Sequence, residues 1–259
     1  MEKNLHHKIA IVTGASKGIG LATTKALVAT GAYVIAGARH NSPALQALEA
    51  AGSVTFIAAD LSTADGPKAL VAAAAERGGV DILVNNAGAV TPRFDGLLSV
   101  TDEDWDAALA LNFLSAVRTT REAVPHMLAR GGGAIVMIGS VNAELPEWNI
   151  IDYSATKAAL ANFAKSVSKE FGPKGIRVNT ISPGPVSTDL WLADNGVAAQ
   201  FAEASGASSQ DVLGSVAAGS ATGRFTTAAE VADLAVFLSS DHNITGSDFR
   251  IDGGHVATI

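Results

Sequence analysis

Short apolar runs rich in β-branched residues recur along the chain, separated by alanine- and leucine-rich stretches with helical spacing. The runs are KIAIVT (8–13), AYVIAG (32–37), SVTFIAA (53–59), DILVNN (81–86), GAIVMIGS (133–140), IRVNTIS (176–182) and SDFRID (247–252). The first six are continuous rather than alternating, the pattern of strands buried on both faces. Helical stretches fall at 18–30, 62–77, 102–129 and 153–171. Another is expected to open at Thr226-Thr227-Ala228-Ala229-Glu230, where a hydroxyl three residues before a glutamate can close a capping box. This alternation predicts an α/β fold: one doubly wound, mostly parallel seven-stranded sheet with helices on both faces, a single domain over residues 1–259. Residues 185–225 interrupt it with a long stretch lacking a strand pattern, carrying Trp191, Phe201, Leu213 and Phe225 among small residues. Such a segment is usually functional or mobile. It follows the sixth strand at the carboxyl edge, where these sheets bind ligands, and is expected to be the substrate-binding region.

Composition narrows the function. Of 259 residues, 48% are apolar and 17% charged. That supplies a large core but few charges for a wholly solvated surface, so self-association is expected. Eighteen basic residues against 25 acidic ones give a net charge of −7 with no basic stripe, which speaks against a nucleic-acid partner. The absence of cysteine removes disulfides, thiolate metal sites and cysteine nucleophiles. No metal is expected, because His6, His7, His126 and His255 lack ligand spacing and read as structural or surface residues. No apolar run reaches membrane-spanning length, and MEKNLHHKIAIVTG does not read as a signal peptide. The expectation is a cytoplasmic protein without a membrane partner.

The first strand runs into Thr13-Gly14-Ala15-Ser16-Lys17-Gly18-Ile19-Gly20. Glycines between strand and helix let the backbone approach a pyrophosphate, with the N–H groups of the helix start facing it. The spacing is G-x-x-x-G-x-G rather than the commoner G-x-G-x-x-G, and a tight turn without a ligand would look the same. NAD binders usually place an acid at the end of strand two. Here that end reads Ala36-Gly37-Ala38-Arg39-His40, with no Asp or Glu between Glu2 and Glu49. Arg39, together with Lys17, suits a 2′-phosphate, so NADP(H) is favoured over NAD(H).

Further motifs follow in order: Asn85-Asn86-Ala87-Gly88 ending strand four, Asn112 in the long helix, Ser140 ending strand five, Tyr153-Ser154-Ala155-Thr156-Lys157, Ser182-Pro183-Gly184 and Asp252-Gly253-Gly254. With the glycine turn, this end-to-end series resembles the short-chain dehydrogenase/reductase family. The resemblance implies a Rossmann-type NAD(P)-dependent oxidoreductase and a role for each matching position. Gly14, Gly18 and Gly20 would cradle the pyrophosphate, with Ser16, Lys17 and Ile19 in the same turn. Asp60, with Leu61 beside it, would approach the adenine, and Asn86, Ala87 and Gly88 the adenine-side ribose. Tyr153 would be the acid/base, and Lys157 would bond the nicotinamide ribose. Ser140 would orient the substrate oxygen, and Asn112 would hold a water linking Lys157 to solvent. Pro183, Gly184, Val186 and Thr188 would line the nicotinamide. The family also implies a homotetramer or homodimer, with the 102–129 and 153–171 helices in one interface.

The chemistry needs this phenol and ammonium. Hydride transfer to a carbonyl leaves charge on its oxygen, which must be protonated, and an ordinary phenol with a pKa near ~10 is a poor match to neutral pH. Residues four apart share a helical face. The Lys157 ammonium is therefore expected near the phenol oxygen. A charge ~4 Å away, at an effective dielectric of about 20, would lower its pKa by up to about three units before desolvation opposes it. Ser140 could then donate to the developing oxyanion. Plainer readings stay open: Ser140 as a strand-end cap, Asn112 as a polar interruption in a helix, and Asn85 and Asn86 as turn formers.

Substrate contacts are expected from Ser140, Asn142, Leu145, Trp148 and Trp191, with Val141, Ile150, Leu192, Phe201, Arg93 and Phe94 around them. That wall is mostly apolar with a few polar handles, suiting a ketone or secondary alcohol of modest size. One alternative is a 3-oxoacyl-(acyl-carrier-protein) reductase, for which Arg118, Arg121 and Arg130 are candidate docking residues. Another is a catalytically idle NADP-binding regulator or scaffold, although a pure binder has no chemical need for the phenol.

Overall fold

The computed structural model describes residues 4–257. Strands β1 (Ile9–Thr13), β2 (Tyr33–Ala38), β3 (Val54–Ala58), β4 (Ile82–Asn85), β5 (Gly133–Ile138), β6 (Ile176–Pro183) and β9 (Asp248–Ile251) form one sheet. All its pairings are parallel, in the order β3-β2-β1-β4-β5-β6-β9. The helices are α1 (Gly18–Ala29), α2 (Pro43–Ala50), α3 (Asp65–Glu76), α4 (Asp102–Leu109), α5 (Ser115–Ala129), α6 (Ile151–Phe171), α7 (Asp189–Leu192), α8 (Val197–Ser205), α9 (Ser209–Ala218) and α10 (Ala228–Ser239). The fold is the expected Rossmann-like one.

β1 explains the continuous apolar runs. Its alternate residues enter two different cores: Ile9 and Ile11 pack with Leu70 of α3, Met127 of α5 and Leu160 of α6. Ala10 and Val12 pack with Leu27 of α1, Leu45 of α2 and Val231 of α10. Each fully buried Leu or Ile stabilises the fold by about 1.5–3 kcal/mol, so a polar residue on either face of this strand would be costly. The chain winds outward from β1 through β2 and β3, then from β4 in the opposite direction. The switch between β1 and β4 opens a crevice at the carboxyl edge.

The structure adds three features. Helix α2 lies between β2 and β3, with Ser42 capping it by accepting from the N–H of Leu45 and Pro43 opening its first turn. The 102–129 stretch is not one regular helix, because residues Ala110–Leu114 form a π-helical turn between α4 and α5. Residues 185–225 are not strandless: β7 (Val186–Ser187) pairs in parallel with β8 (Thr226–Thr227). A two-residue strand has no periodicity to detect. The same segment carries α7, α8 and α9. The expected capping box does form, with Thr227 Oγ1 accepting from the Glu230 N–H and the Glu230 carboxylate accepting from the Thr227 N–H. Among the described residues no helix is long and apolar enough to cross a membrane.

Candidate active site

The glycine turn has the geometry of an anion cradle. Lys17 occupies the N-cap of α1 in extended backbone, its side chain makes no capping bond, and the first turn holds no acid. Gly14 and Gly18 have φ of 66° and 53°, a region that strains other residues. A Cβ on Gly20 would collide with the Gly14 carbonyl oxygen and come within 2.5 Å of Asn86 Nδ2. Uncapped N–H groups and the positive end of the helix thus remain for a dinucleotide pyrophosphate, and the residues present fit one.

Thr13 and Asn86 join the glycine turn to β4. The Thr13 hydroxyl accepts from the N–H groups of Asn86 at 2.8 Å and Ala87 at 3.0 Å. Asn86 Nδ2 returns a bond to the Thr13 carbonyl at 2.8 Å. Further along the edge, the Asp60 carboxylate accepts from the N–H and hydroxyl of Ser62 at 3.0 and 2.7 Å. Those bonds, aided by the nearby Arg39 guanidinium, hold its pKa below the usual carboxylate value. Leu61 packs its side chain into the core, leaving only its backbone for a ligand.

Ser140, Tyr153 and Lys157 line one cavity of about 400 Å³. Lys157, buried within α6, donates from Nζ to the Ile138 carbonyl at 2.8 Å and lies 5.5 Å from the centre of the Tyr153 ring. Burial pulls the Lys157 ammonium down to about 8. Burial also pushes the Tyr153 phenol up, while the Ser140 hydroxyl works in the opposite direction. The expected lowering of the phenol by the ammonium therefore needs correction. Lost hydration is the larger effect on each group, and the lysine is turned to the Ile138 carbonyl.

Ser140 does cap a short turn, accepting from the Asn142 N–H at 3.1 Å, and its hydroxyl also pairs with Asn142 Oδ1 at 3.0 Å. The capped Ser140 still lines the cavity, and holding a substrate oxygen there requires its proton to turn from Asn142 Oδ1. The buried Asn112 sits in the π-helical turn, a device that often re-aims a side chain at a functional site. Its Oδ1 accepts from the Ala89 N–H at 2.8 Å. A Cβ on Gly88 would lie 2.9 Å from that oxygen and 3.6 Å from Lys157 Nζ. Asn112, Gly88 and Lys157 thus converge.

The cavity is lined by the cofactor candidates Ile19, Asn86, Gly88, Pro183, Gly184, Val186 and Thr188 and also by Asn142, Ile150, Trp191 and Phe201. The other cofactor candidates, Gly14, Ser16, Lys17, Gly18, Gly20, Arg39, Asp60, Leu61 and Ala87, are not part of this wall. Leu145 and Trp148, expected at the substrate, do not line it either and are 38% and 62% exposed. Arg93 is absent from the wall as well, because its guanidinium pairs with Asp104 and Asp152. His255, read from the sequence as structural or surface, does line the cavity. Its position just after β9 on the carboxyl edge was the available signal. Glu147 and Asn149 line it too, and nothing in their spacing announces that. Among the described residues no cluster could hold a metal ion.

A model of the short chain dehydrogenase family matches residues 8–196. The chain belongs to the short-chain dehydrogenase family. It is an oxidoreductase acting on CH–OH or C=O groups. An acetoacetyl-CoA reductase from Cupriavidus necator is 35% identical over 95% of this chain and 97% of its own length. A 3-oxoacyl-(acyl-carrier-protein) reductase from Escherichia coli is 34% identical over 97% and 98%. Among solved structures, an L-sorbose reductase from Gluconobacter frateurii, complexed with NADPH and L-sorbose, superposes with a TM-score of 0.92 at 35% identity, covering 100% of both chains.

Proposed function

We propose that this short-chain dehydrogenase is an NADP(H)-dependent oxidoreductase interconverting a ketone and a secondary alcohol on a small, largely apolar molecule. The observation that carries the reading is the meeting of Ser140, Tyr153 and Lys157 on one mostly apolar cavity beside the glycine turn. Bound there, the nicotinamide cofactor supplies or accepts the hydride. Tyr153 gives the proton to the carbonyl oxygen or takes it from the alcohol, and Ser140 holds that oxygen by a hydrogen bond. Lys157 supplies a buried cation on the same helical face, and Asn112, converging on it, positions a water for proton exchange with solvent. Gly14, Gly18 and Gly20 receive the pyrophosphate, and Asp60 and Leu61 the adenine. Asn86, Ala87 and Gly88 follow the ribose, and Pro183, Gly184, Val186 and Thr188 border the nicotinamide.

Arg39 and Lys17 are both exposed at the cofactor edge and favour a 2′-phosphate. The NADPH complex of the L-sorbose reductase supports that preference. The acyl-carrier reading is less well supplied. Arg118 donates to the Ser62 carbonyl at 2.6 Å and Arg130 is bound to Asp81, so two of the three candidate docking arginines serve the chain's own loops. The protein is further proposed to be a single-domain cytoplasmic enzyme that assembles as a homotetramer or homodimer.

A panel of ketones assayed with NADPH and NADH tests the reading. It expects turnover of apolar ketones with NADPH preferred. Tight NADPH binding with no turnover across the panel would favour the idle regulator instead.

A further inference from the structure

Three polar side chains on the cavity wall have no partner within the described residues. Asn149 is only 9% exposed; its backbone oxygen accepts from the Arg93 N–H at 2.6 Å, yet its side-chain amide makes no hydrogen bond. Two residues earlier, Glu147 lines the same cavity with an exposed carboxylate in no ion pair. His255 closes the wall from the end of β9, its buried Nδ1 unpartnered and facing Gly219, where an added Cβ would lie 3.6 Å away.

Asn149 lines the cavity with the donors and acceptor of its amide unused, so a bound molecule can complete the pairing. Asn142 offers the contrast. Its Oδ1 pairs with Ser140 and its Nδ2 donates to the Leu145 carbonyl at 3.1 Å, so it has little left to offer. Charge sets the second constraint. Among the described residues Lys157 is the one lysine or arginine on the wall, and Ile138 already holds it. A substrate carboxylate would meet Glu147 with no cation to offset it. A neutral hydroxyl can donate to Glu147 and accept from the Asn149 amide. Asn149 lines the same cavity as Ser140 and Tyr153, so the hydroxyl it holds shares that cavity with the reacting carbon.

We infer, resting on the reductase reading above, that the substrate is a neutral ketone with a hydroxyl beside its carbonyl, bound through Asn149 and Glu147. Its hydrocarbon body lies against Trp191, Phe201 and Val216 of the 185–225 segment. Keto acids are excluded by the same wall.

Three probes of matched shape test this: hydroxymethyl butyl ketone, ethyl butyl ketone and α-ketocaproate, each followed by nicotinamide oxidation. A site built around a hydroxyl discriminates strongly against the analogue lacking it, whereas an apolar pocket cannot. The wild type is expected to prefer the hydroxyketone over ethyl butyl ketone by at least about tenfold in kcat/KM, with the keto acid slowest. Asn149→Leu should collapse the first ratio. Glu147→Gln, at an exposed position, should narrow the gap between keto acid and hydroxyketone. Equal or better use of ethyl butyl ketone, or an unchanged ratio in both variants, would overturn the inference while leaving the reductase reading intact. No turnover of any probe would overturn it and count against the reductase reading as well.

Discussion

Arg93 donates through Nε and Nη2 to one carboxylate oxygen of Asp152, at 3.2 and 2.8 Å, while the other oxygen accepts from the Tyr153 N–H at 2.8 Å. The same guanidinium reaches Asp104 at the start of α4 at 2.9 Å. The loop after β4 is thereby clamped to the first turn of α6, one residue from the phenol. Removing one partner of a buried pair costs about 3–5 kcal/mol because the other is left uncompensated. Arg93→Met should destabilise the fold by an amount near the lower end of that range, and adding Asp152→Asn should recover a substantial part. Urea unfolding of both single variants and the double variant checks this; additive losses would show that the two residues are not coupled.

Two identical substitutions should have opposite effects. A Cβ on Gly20 collides with the Gly14 carbonyl and the Asn86 amide, whereas one on Gly214, inside α9, meets nothing within 4 Å. Gly20→Ala should abolish cofactor binding and lower stability. Gly214→Ala should stabilise by roughly 0.5–1 kcal/mol. Thermal unfolding and fluorescence titration with NADPH read both effects.

Lys157 makes stability depend on pH. Burial lowers its pKa from 10.5 to about 8, so between those values the unfolded chain binds more protons than the folded one. The penalty for burying the ammonium is therefore full below about pH 8 and is relieved as pH rises towards 10.5. Relative to Lys157→Met, the wild type should gain up to roughly 3 kcal/mol between about pH 7 and about pH 10. Urea unfolding at the two pH values measures the difference, and parallel pH dependences would contradict it.

Arg39→Asp should move cofactor preference from NADPH towards NADH. The substitution removes the cation proposed for the 2′-phosphate and places an acid where the ribose 2′-hydroxyl would be bonded. The ratio of kcat/KM for the two cofactors is the readout, and an unchanged ratio would remove Arg39 from that role.

The sheet was readable in advance because continuous burial on both faces forces continuous apolar runs. Tyr153 and Lys157 were equally readable, their four-residue spacing placing both on the cavity. Features set by tertiary contacts were hidden. The π-helical turn that aims Asn112 leaves no periodic trace, and β7 is too short to have one. The electrostatics of Tyr153 depended on which way Lys157 turned, which spacing could not reveal. Trp148 looked like a substrate contact because it is large and near Tyr153, yet the short turn at 148–150 leaves it facing outward. Glu147 and Asn149 carry no sequence pattern that places them on the wall, and only the position of His255 just after β9 pointed there.

The central claim is that Tyr153 is the proton donor and acceptor of a ketone reductase. Tyr153→Phe keeps the ring and its packing and removes only the hydroxyl. Steady-state turnover and the NADPH dissociation constant, measured on the same preparation, test the claim most directly. The account predicts turnover reduced to background with cofactor affinity retained. Undiminished turnover in that variant would contradict it.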